Sequence, residues 1–219
     1  MRAVLINVRT ENQRHDLVRS FLAETNPDFI VLEEVDSKWI AALAELKRTH
    51  PHSIVEARED NFGIAFFSKL PIQRGETLFL GGAEIPSLIV RFDSLGGALT
   101  ILATHPLPPG GPEYSRTRNA QLAAIPSCVA QERGGIVLLG DLNATPWCHP
   151  FRKLVVASGL KLGGIESGFH ASWPVDFFPL RIPIDHCLIN SNVVVTAEKT
   201  GPNIGSDHFP LVVDFKLRF

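Results

Sequence analysis

The sequence predicts an α/β sandwich, two packed sheets with helices on the outside. Short apolar runs of strand length recur along the chain and outnumber the helical patterns, which fall early in each half. Of the 219 residues, 45% are hydrophobic and 20% charged. That is material for one core burying roughly 70% of the unfolded surface, and a single domain over 1–219 is expected.

Ala3 to Ile6 is the first buried strand and delivers Asn7 at its end. From Gln13 to Glu24, Leu17, Val18, Phe21 and Leu22 share one helical face. Asn26-Pro27 stops that helix, because the residue before a proline is driven out of the helical region. Phe29 to Leu32 is a second buried strand ending in Glu33-Glu34, and Trp39, Leu43 and Leu46 then recur at helical spacing up to His50-Pro51. This β-α rhythm gives way to hairpins from Asn61. Strands are expected at Ile64 to Phe67, Leu88 to Phe92 and Leu99 to Ala103, with turns at Leu70-Pro71, Gly81-Gly82 and Gly96-Gly97. Pro106 to Pro112 reads as a rigid loop. A helix from Tyr114 carries Leu122, Ile125 and Val129 inward, with Pro126 expected to kink or shorten it. Ile136 to Leu139 is a buried strand closing on Gly140-Asp141, and a short helix follows Pro146. Strands at Ile184 to Ile189, Val193 to Ala197 and Phe209 to Phe215 complete a β-rich second half.

A formal charge of −2 and a pI near 6.4 exclude the bulk electrostatics of a protein that coats nucleic-acid phosphates. Only local basic clusters remain, such as Arg116 with Arg118 or Lys47 with Arg48. Cys128, Cys148 and Cys187 are odd in number and widely spaced, which argues against a disulfide framework and a structural zinc. No run reaches the roughly 18 to 20 apolar residues of a membrane span, so a soluble chain is expected.

Polar residues that follow directly on apolar strands stand at a sheet rim, where a rigid scaffold can aim them at one point. Asn7, Glu33-Glu34, Thr104-His105, Asp141-Leu142-Asn143 and Asp185-His186 are placed this way, and Gly205-Ser206-Asp207-His208 precedes the final strand. Singly, a strand-terminal Asp or Asn is more often a turn former than a catalyst. As an ordered set they resemble the endonuclease/exonuclease/phosphatase superfamily, through Asn7, the Leu32-Glu33-Glu34 strand end, Thr104-His105, Gly140-Asp-Leu-Asn-Ala-Thr-Pro-Trp147, Ile184-Asp185-His186 and Gly205-Ser-Asp-His-Phe-Pro210. The match runs from residue 4 to residue 217. Thr104 to Pro109, Arg118 to Gln121 and Ser172-Trp173-Pro174 look most like a bacterial branch of it. The resemblance implies a DNase I-like, four-layer α/β/β/α sandwich of two mostly antiparallel sheets. It also implies hydrolysis of a phosphate ester with Mg²⁺ or Mn²⁺ as cofactor.

Within that resemblance each residue has a role. Glu34 supplies a hard anionic oxygen to the metal, which is typically held by one or two carboxylates and keeps several waters. Asn7 helps position metal or phosphate, and Asp207 stands near the metal or touches it through water. Asp141 orients and deprotonates water; Asn143, two residues on and on the same side of an extended chain, holds the nucleophile or a phosphate oxygen. His208 faces the scissile phosphate while Asp185 accepts its other ring proton, which favours imidazolium. His105 stands where relatives carry a His or Tyr that contacts phosphate or protonates the leaving group, and Arg118 is a substrate contact. Glu33 and His186 point to the opposite strand faces and are expected to be bystanders. Trp147, Trp173, Phe177 and Phe178 are read mainly as core, with base stacking or a lipid groove as the alternative.

The resemblance implies the reaction and leaves the substrate to the loops. Nucleic acid, DNA or RNA, is the leading expectation; a lipid or small-molecule phosphoester is the alternative, and an idle binding module on the same fold is the second. Relatives that repair abasic DNA carry a Lys soon after the metal-binding Glu, whereas this chain reads Glu34-Val35-Asp36-Ser37, so abasic-site repair is not expected. A monomer is expected, either cytoplasmic or the soluble part of a membrane-anchored bacterial parent.

Overall fold

The structure, a computed structural model, describes residues 1–93, 97–164, 168 and 170–218. Twelve strands form two sheets of six. The first sheet holds β1 (Arg2–Asn7), β2 (Phe29–Glu33), β3 (His52–Glu56), β4 (Ile64–Ser68), β11 (Val193–Thr200) and β12 (Leu211–Leu217), in the order β11-β12-β1-β2-β4-β3. The second holds β5 (Arg74–Phe79), β6 (Pro86–Phe92), β7 (Leu99–Thr104), β8 (Gly135–Asp141), β9 (Lys161–Leu162) and β10 (Asp185–Ile189), in the order β5-β6-β7-β8-β10-β9.

Each sheet is antiparallel except for one central pair. β1 and β2 run parallel across α1 (His15–Thr25), and β7 and β8 run parallel across α4 (Pro112–Val129). A parallel pair needs a crossover helix, and it points both C-terminal ends at the same rim. Asn7 and Glu33 therefore end one pair, and Thr104 and Asp141 the other.

The strands read as unbroken apolar runs because both faces of each sheet are covered. On β1 and β2, Ala3, Leu5, Phe29 and Val31 face the second sheet, where they meet Leu99, Ile101, Val137 and Leu139. The intervening Val4, Ile6, Ile30 and Leu32 pack outward against Val18, Phe21 and Leu22 of α1 and Trp39 of α2 (Ser37–Ala42). Likewise Leu102 and Leu138 meet Leu122 and Ile125 of α4 and Phe151 and Leu154 of α5 (His149–Ser158). The result is the α/β/β/α sandwich that the sequence predicts.

Four expectations need correction. The helical run from Trp39 to Leu46 is two short helices, α2 and α3 (Leu46–Thr49), because a turn interrupts it. Pro126 does not shorten α4, which continues to Val129. β3, β5 and the two-residue β9 were not expected: they are edge or very short strands whose mixed polar and apolar residues form no long apolar run. Trp147, Phe177 and Phe178 are exposed and not core, with Phe178 at 77%. Gly96 of the expected Gly96-Gly97 turn lies outside the described residues. Among the described residues no helix is long and apolar enough to cross a membrane.

Candidate active site

Strand alternation decides what reaches the site. The inward register of Ala3 and Leu5 continues to Asn7, that of Phe29 and Val31 to Glu33, and that of Val137 and Leu139 to Asp141. Cys187 and Ile189 are inward on β10, so Asp185 is too. The polar residues thus cap the apolar layer between the sheets. His186, of opposite register, packs its ring 4.6 Å from Phe151 and pairs Nε2 with the Ala144 carbonyl at 2.8 Å.

At the centre, Asp141 Oδ2 lies 3.6 Å from Nε2 of both His105 and His208. Asp185 Oδ2 accepts from His208 Nδ1 at 2.8 Å, and Ser206 Oγ accepts from the His208 backbone N–H at 3.1 Å. All four ionisable residues are buried. Burial alone disfavours each imidazolium, but neighbouring carboxylates outweigh it. His208 rises to about 10 through Asp185 and Asp141, and His105 to about 9 through Asp141, Glu33 and Glu34. Asp141, although buried, is held below the usual carboxylate range by the two imidazoles and the Asn143 N–H.

Glu34 reaches the cleft by a different route. Its backbone leaves β2 with φ of +60°, an uncommon conformation for a side chain of this kind. Asn7 Nδ2 donates to its Oε1 at 2.9 Å, and Thr10 Oγ1 donates to its carbonyl at 2.9 Å. Asn7 Nδ2 also lies 3.5 Å from Asp141 Oδ2, while its amide oxygen accepts the Arg9 N–H at 3.1 Å. Asn7 therefore turns its nitrogen toward the two carboxylates. Through these hydrogen bonds Asn7 orients the Glu34 and Asp141 carboxylates.

Asn143 is not on an extended strand, as its expected partnership with Asp141 required. β8 ends at Asp141, whose Oδ1 accepts the Asn143 N–H at 2.9 Å in a tight turn with φ of +48° at Asn143. Asn143 nevertheless faces the cleft, and its Nδ2 donates to the Pro106 carbonyl at 3.0 Å. Arg118 of α4 braces this turn by donating to the Asn143 carbonyl at 2.7 Å. Asp207 accepts the Trp173 indole N–H at 3.1 Å. Glycine is needed at two motif positions: a Cβ on Gly140 would stand 1.9 Å from the Thr104 carbonyl oxygen, and Gly205 has φ of +88°.

Glu33, Ser206 and Ser172 are the supporting residues that motif reading missed. Ser172 Oγ accepts the Asp185 backbone N–H at 3.4 Å, and Ser206 Oγ donates to the Asn7 carbonyl at 2.7 Å. Glu33 is wholly buried on the inner face, and burial pushes its carboxyl well up while the charge of His105 pulls the other way. Strand parity with Phe29 and Val31 is the signal that would have found it.

These groups open into a cleft of about 680 Å³, walled by Phe62, Pro108, Tyr114, Trp173 and Ile182. Asp141, Asp185 and His208 are the one set of three His, Cys, Asp or Glu residues, among those described, whose ligand atoms lie within 4.8 Å of one another. A metal there would need an imidazole without its proton. Asp185 holds the His208 Nδ1 proton, which leaves Nε2 as the ring nitrogen turned toward Asp141. Glu34, Asp207 and Asp141 line the same cleft and offer the carboxylate oxygens that a hard cation takes.

Solved structures of the same shape include the endonuclease/exonuclease/phosphatase from Bacteroides vulgatus, at TM-score 0.84 and 16% identity over 99% of this chain and 98% of that one. D. rerio TDP2 complexed with single strand DNA product aligns at TM-score 0.83 and 15% identity over 99% and 98%. The human Nocturnin catalytic domain with bound sulfate anion aligns at 0.81 and 17% over 100% and 94%. At these identities the likeness speaks for the fold. No curated protein matches the chain significantly. The model of the Endonuclease/Exonuclease/phosphatase family matches residues 4–208, a span that takes in every residue brought together at this rim, and the chain belongs to that family of phosphate-ester hydrolases.

Proposed function

We propose that the protein hydrolyses a phosphodiester with the help of a divalent cation, Mg²⁺ or Mn²⁺. The observation that carries the reading is the Asp141 carboxylate set 3.6 Å from two imidazoles at the floor of an open cleft. Glu34, with Asp207 beside it, would hold the cation, which supplies charge neutralisation at a phosphate oxygen. Asp141 orients the attacking water and takes its proton. The water oxygen bonds to phosphorus as the ester P–O bond breaks, and His105, cationic below about pH 9, protonates the departing oxygen. His208, kept cationic by Asp185, stabilises the charge that builds on the phosphoryl oxygens. Both sheets contribute to this one cleft, which supports treating the chain as one domain.

Nucleic acid contacted over a short stretch is the leading substrate. The aromatic wall of Phe62, Tyr114 and Trp173 suits stacking, which serves single strands without a broad cationic groove. A small phosphodiester is the second reading. It is favoured by the charge of the cleft, where Arg118 stands against the carboxylates of Glu34, Asp60, Asp141 and Asp207. The test is hydrolysis of bis-(4-nitrophenyl) phosphate, single-stranded DNA, RNA and supercoiled plasmid, with Mg²⁺, Mn²⁺ or EDTA and with Asp141→Asn as control. Metal-dependent cleavage that the variant lacks is expected. Equal rates from the variant would sink the assignment.

A further inference from the structure

The proposed mechanism leaves one fully buried acidic group at the rim unused. Glu33 ends β2 in the first sheet, and its carboxyl group crosses to the second, where both oxygens lie within hydrogen-bond reach of the backbone N–H of Asp141, at 3.1 and 3.3 Å. The partners are 108 residues apart in sequence. Room for the carboxyl group comes from Gly140, whose added Cβ would lie 3.2 Å from Glu33 Oε1. The Asp141 side chain is meanwhile held by the Asn143 N–H at Oδ1 and, at Oδ2, by the two imidazoles and Asn7 Nδ2. A buried backbone N–H that loses its side-chain acceptor still carries its desolvation cost, so this carboxyl group is a disruptive one to remove.

We infer that Glu33 is a positioning residue, holding the backbone of Asp141 across the two sheets so that its carboxylate stays centred between His105 and His208. This rests on the hydrolase reading above, but the contact itself can be tested without turnover. Glu33→Gln keeps an oxygen acceptor of the same reach; Glu33→Leu fills the space and offers none. Ile136→Ala, at the opposite end of β8, is the control for loss of stability alone.

Hydrolysis of bis-(4-nitrophenyl) phosphate is measured beside the Asp141 amide resonance and the His105 and His208 imidazole resonances by NMR. For Glu33→Leu, kcat should fall at least tenfold with KM within about twofold, as expected when a group acting in the transition state is misplaced. The Asp141 amide should also move upfield and exchange faster. Glu33→Gln should recover most of kcat and the amide shift, and Ile136→Ala should lower the melting temperature with kcat unchanged. A Leu variant with wild-type kcat and an unmoved Asp141 amide overturns the proposal, as does a Gln variant as impaired as Leu. An inactive wild type would count against the hydrolase reading, while the amide and imidazole shifts would still decide whether Glu33 positions Asp141.

Discussion

His208 Nδ1 stands 2.8 Å from Asp185 Oδ2, which leaves Nε2 as the only ring nitrogen facing the cleft and Asp141. Burial works against this imidazolium, and the charges of Asp185 and Asp141 overcome it to place its pKa at about 10. A raised value means the cation persists until pH climbs through it. His105, at about 9, then sets the onset of the wild-type alkaline decline in kcat. Asp185→Asn removes the largest supporting charge, so His208 should lose its proton at lower pH and bring the decline below that of wild type. A pH–rate profile of the two proteins checks this; superimposable alkaline limbs would remove His208 as the cationic group.

Asp141→Asn keeps the shape of the side chain and removes its charge. Turnover should fall by about 10³-fold or more, the scale seen when one member of a concerted constellation is lost. His208→Ala should do the same. Circular dichroism should show the fold retained in each.

For Glu34→Gln the neutral amide is a weaker partner for a hard cation. The metal concentration giving half-maximal activity should rise by at least tenfold, with a smaller change in activity at saturating metal. An unchanged metal titration would remove Glu34 from contact with the ion.

The cleft offers one arginine beside several carboxylates, so few backbone phosphates can be neutralised. On single-stranded DNA, log(kcat/KM) against log[salt] should have a slope shallower than about −2. A protein with six to ten phosphate contacts gives a far steeper one. A steep slope would require a basic surface outside the cleft.

Glu198 lies away from the site on β11, and burial lifts its carboxyl to about 7 against a backbone hydrogen bond from Gly164. The folded state therefore holds a proton that the unfolded chain releases nearer 4.5, and stability declines as pH rises between those values. Glu198→Gln should relieve this, at most by about 3 kcal/mol from a worth of about 1.4 kcal/mol per unit. Urea midpoints at pH 4 and pH 8 test it: the variant should gain only at pH 8.

Residues that sit where an apolar run stops were readable from the sequence, because strand burial and rim placement both follow from local pattern. Asp141, Asp185 and His208 were found this way, and the structure brings them together. The edge strands β3 and β5 were invisible because their side chains are largely in water, where no apolar pattern is selected. Glu33 was misassigned for a subtler reason. Alternation placed it opposite Glu34, which is correct, but the face on which Asn7, Asp141 and Asp185 meet is the inner one that Glu33 shares with Phe29 and Val31. Glu34 joins that face only through its positive φ, a backbone turn that no side-chain pattern announces. The orientation of the Asn7 amide was equally hidden, since it depends on the Arg9 N–H.

β1 lies between β2 and β12, and Met1 exchanges backbone hydrogen bonds with Phe215 across this seam. During synthesis β1 emerges long before β12 and must therefore wait for it before its second edge is paired. Until then an apolar strand keeps one open edge, the kind of template on which chains associate wrongly. Contacts of such sequence separation slow folding. Asn7, at the end of that waiting strand, cannot be fixed earlier, so the onset of activity on a growing or refolding chain should report the arrival of β12.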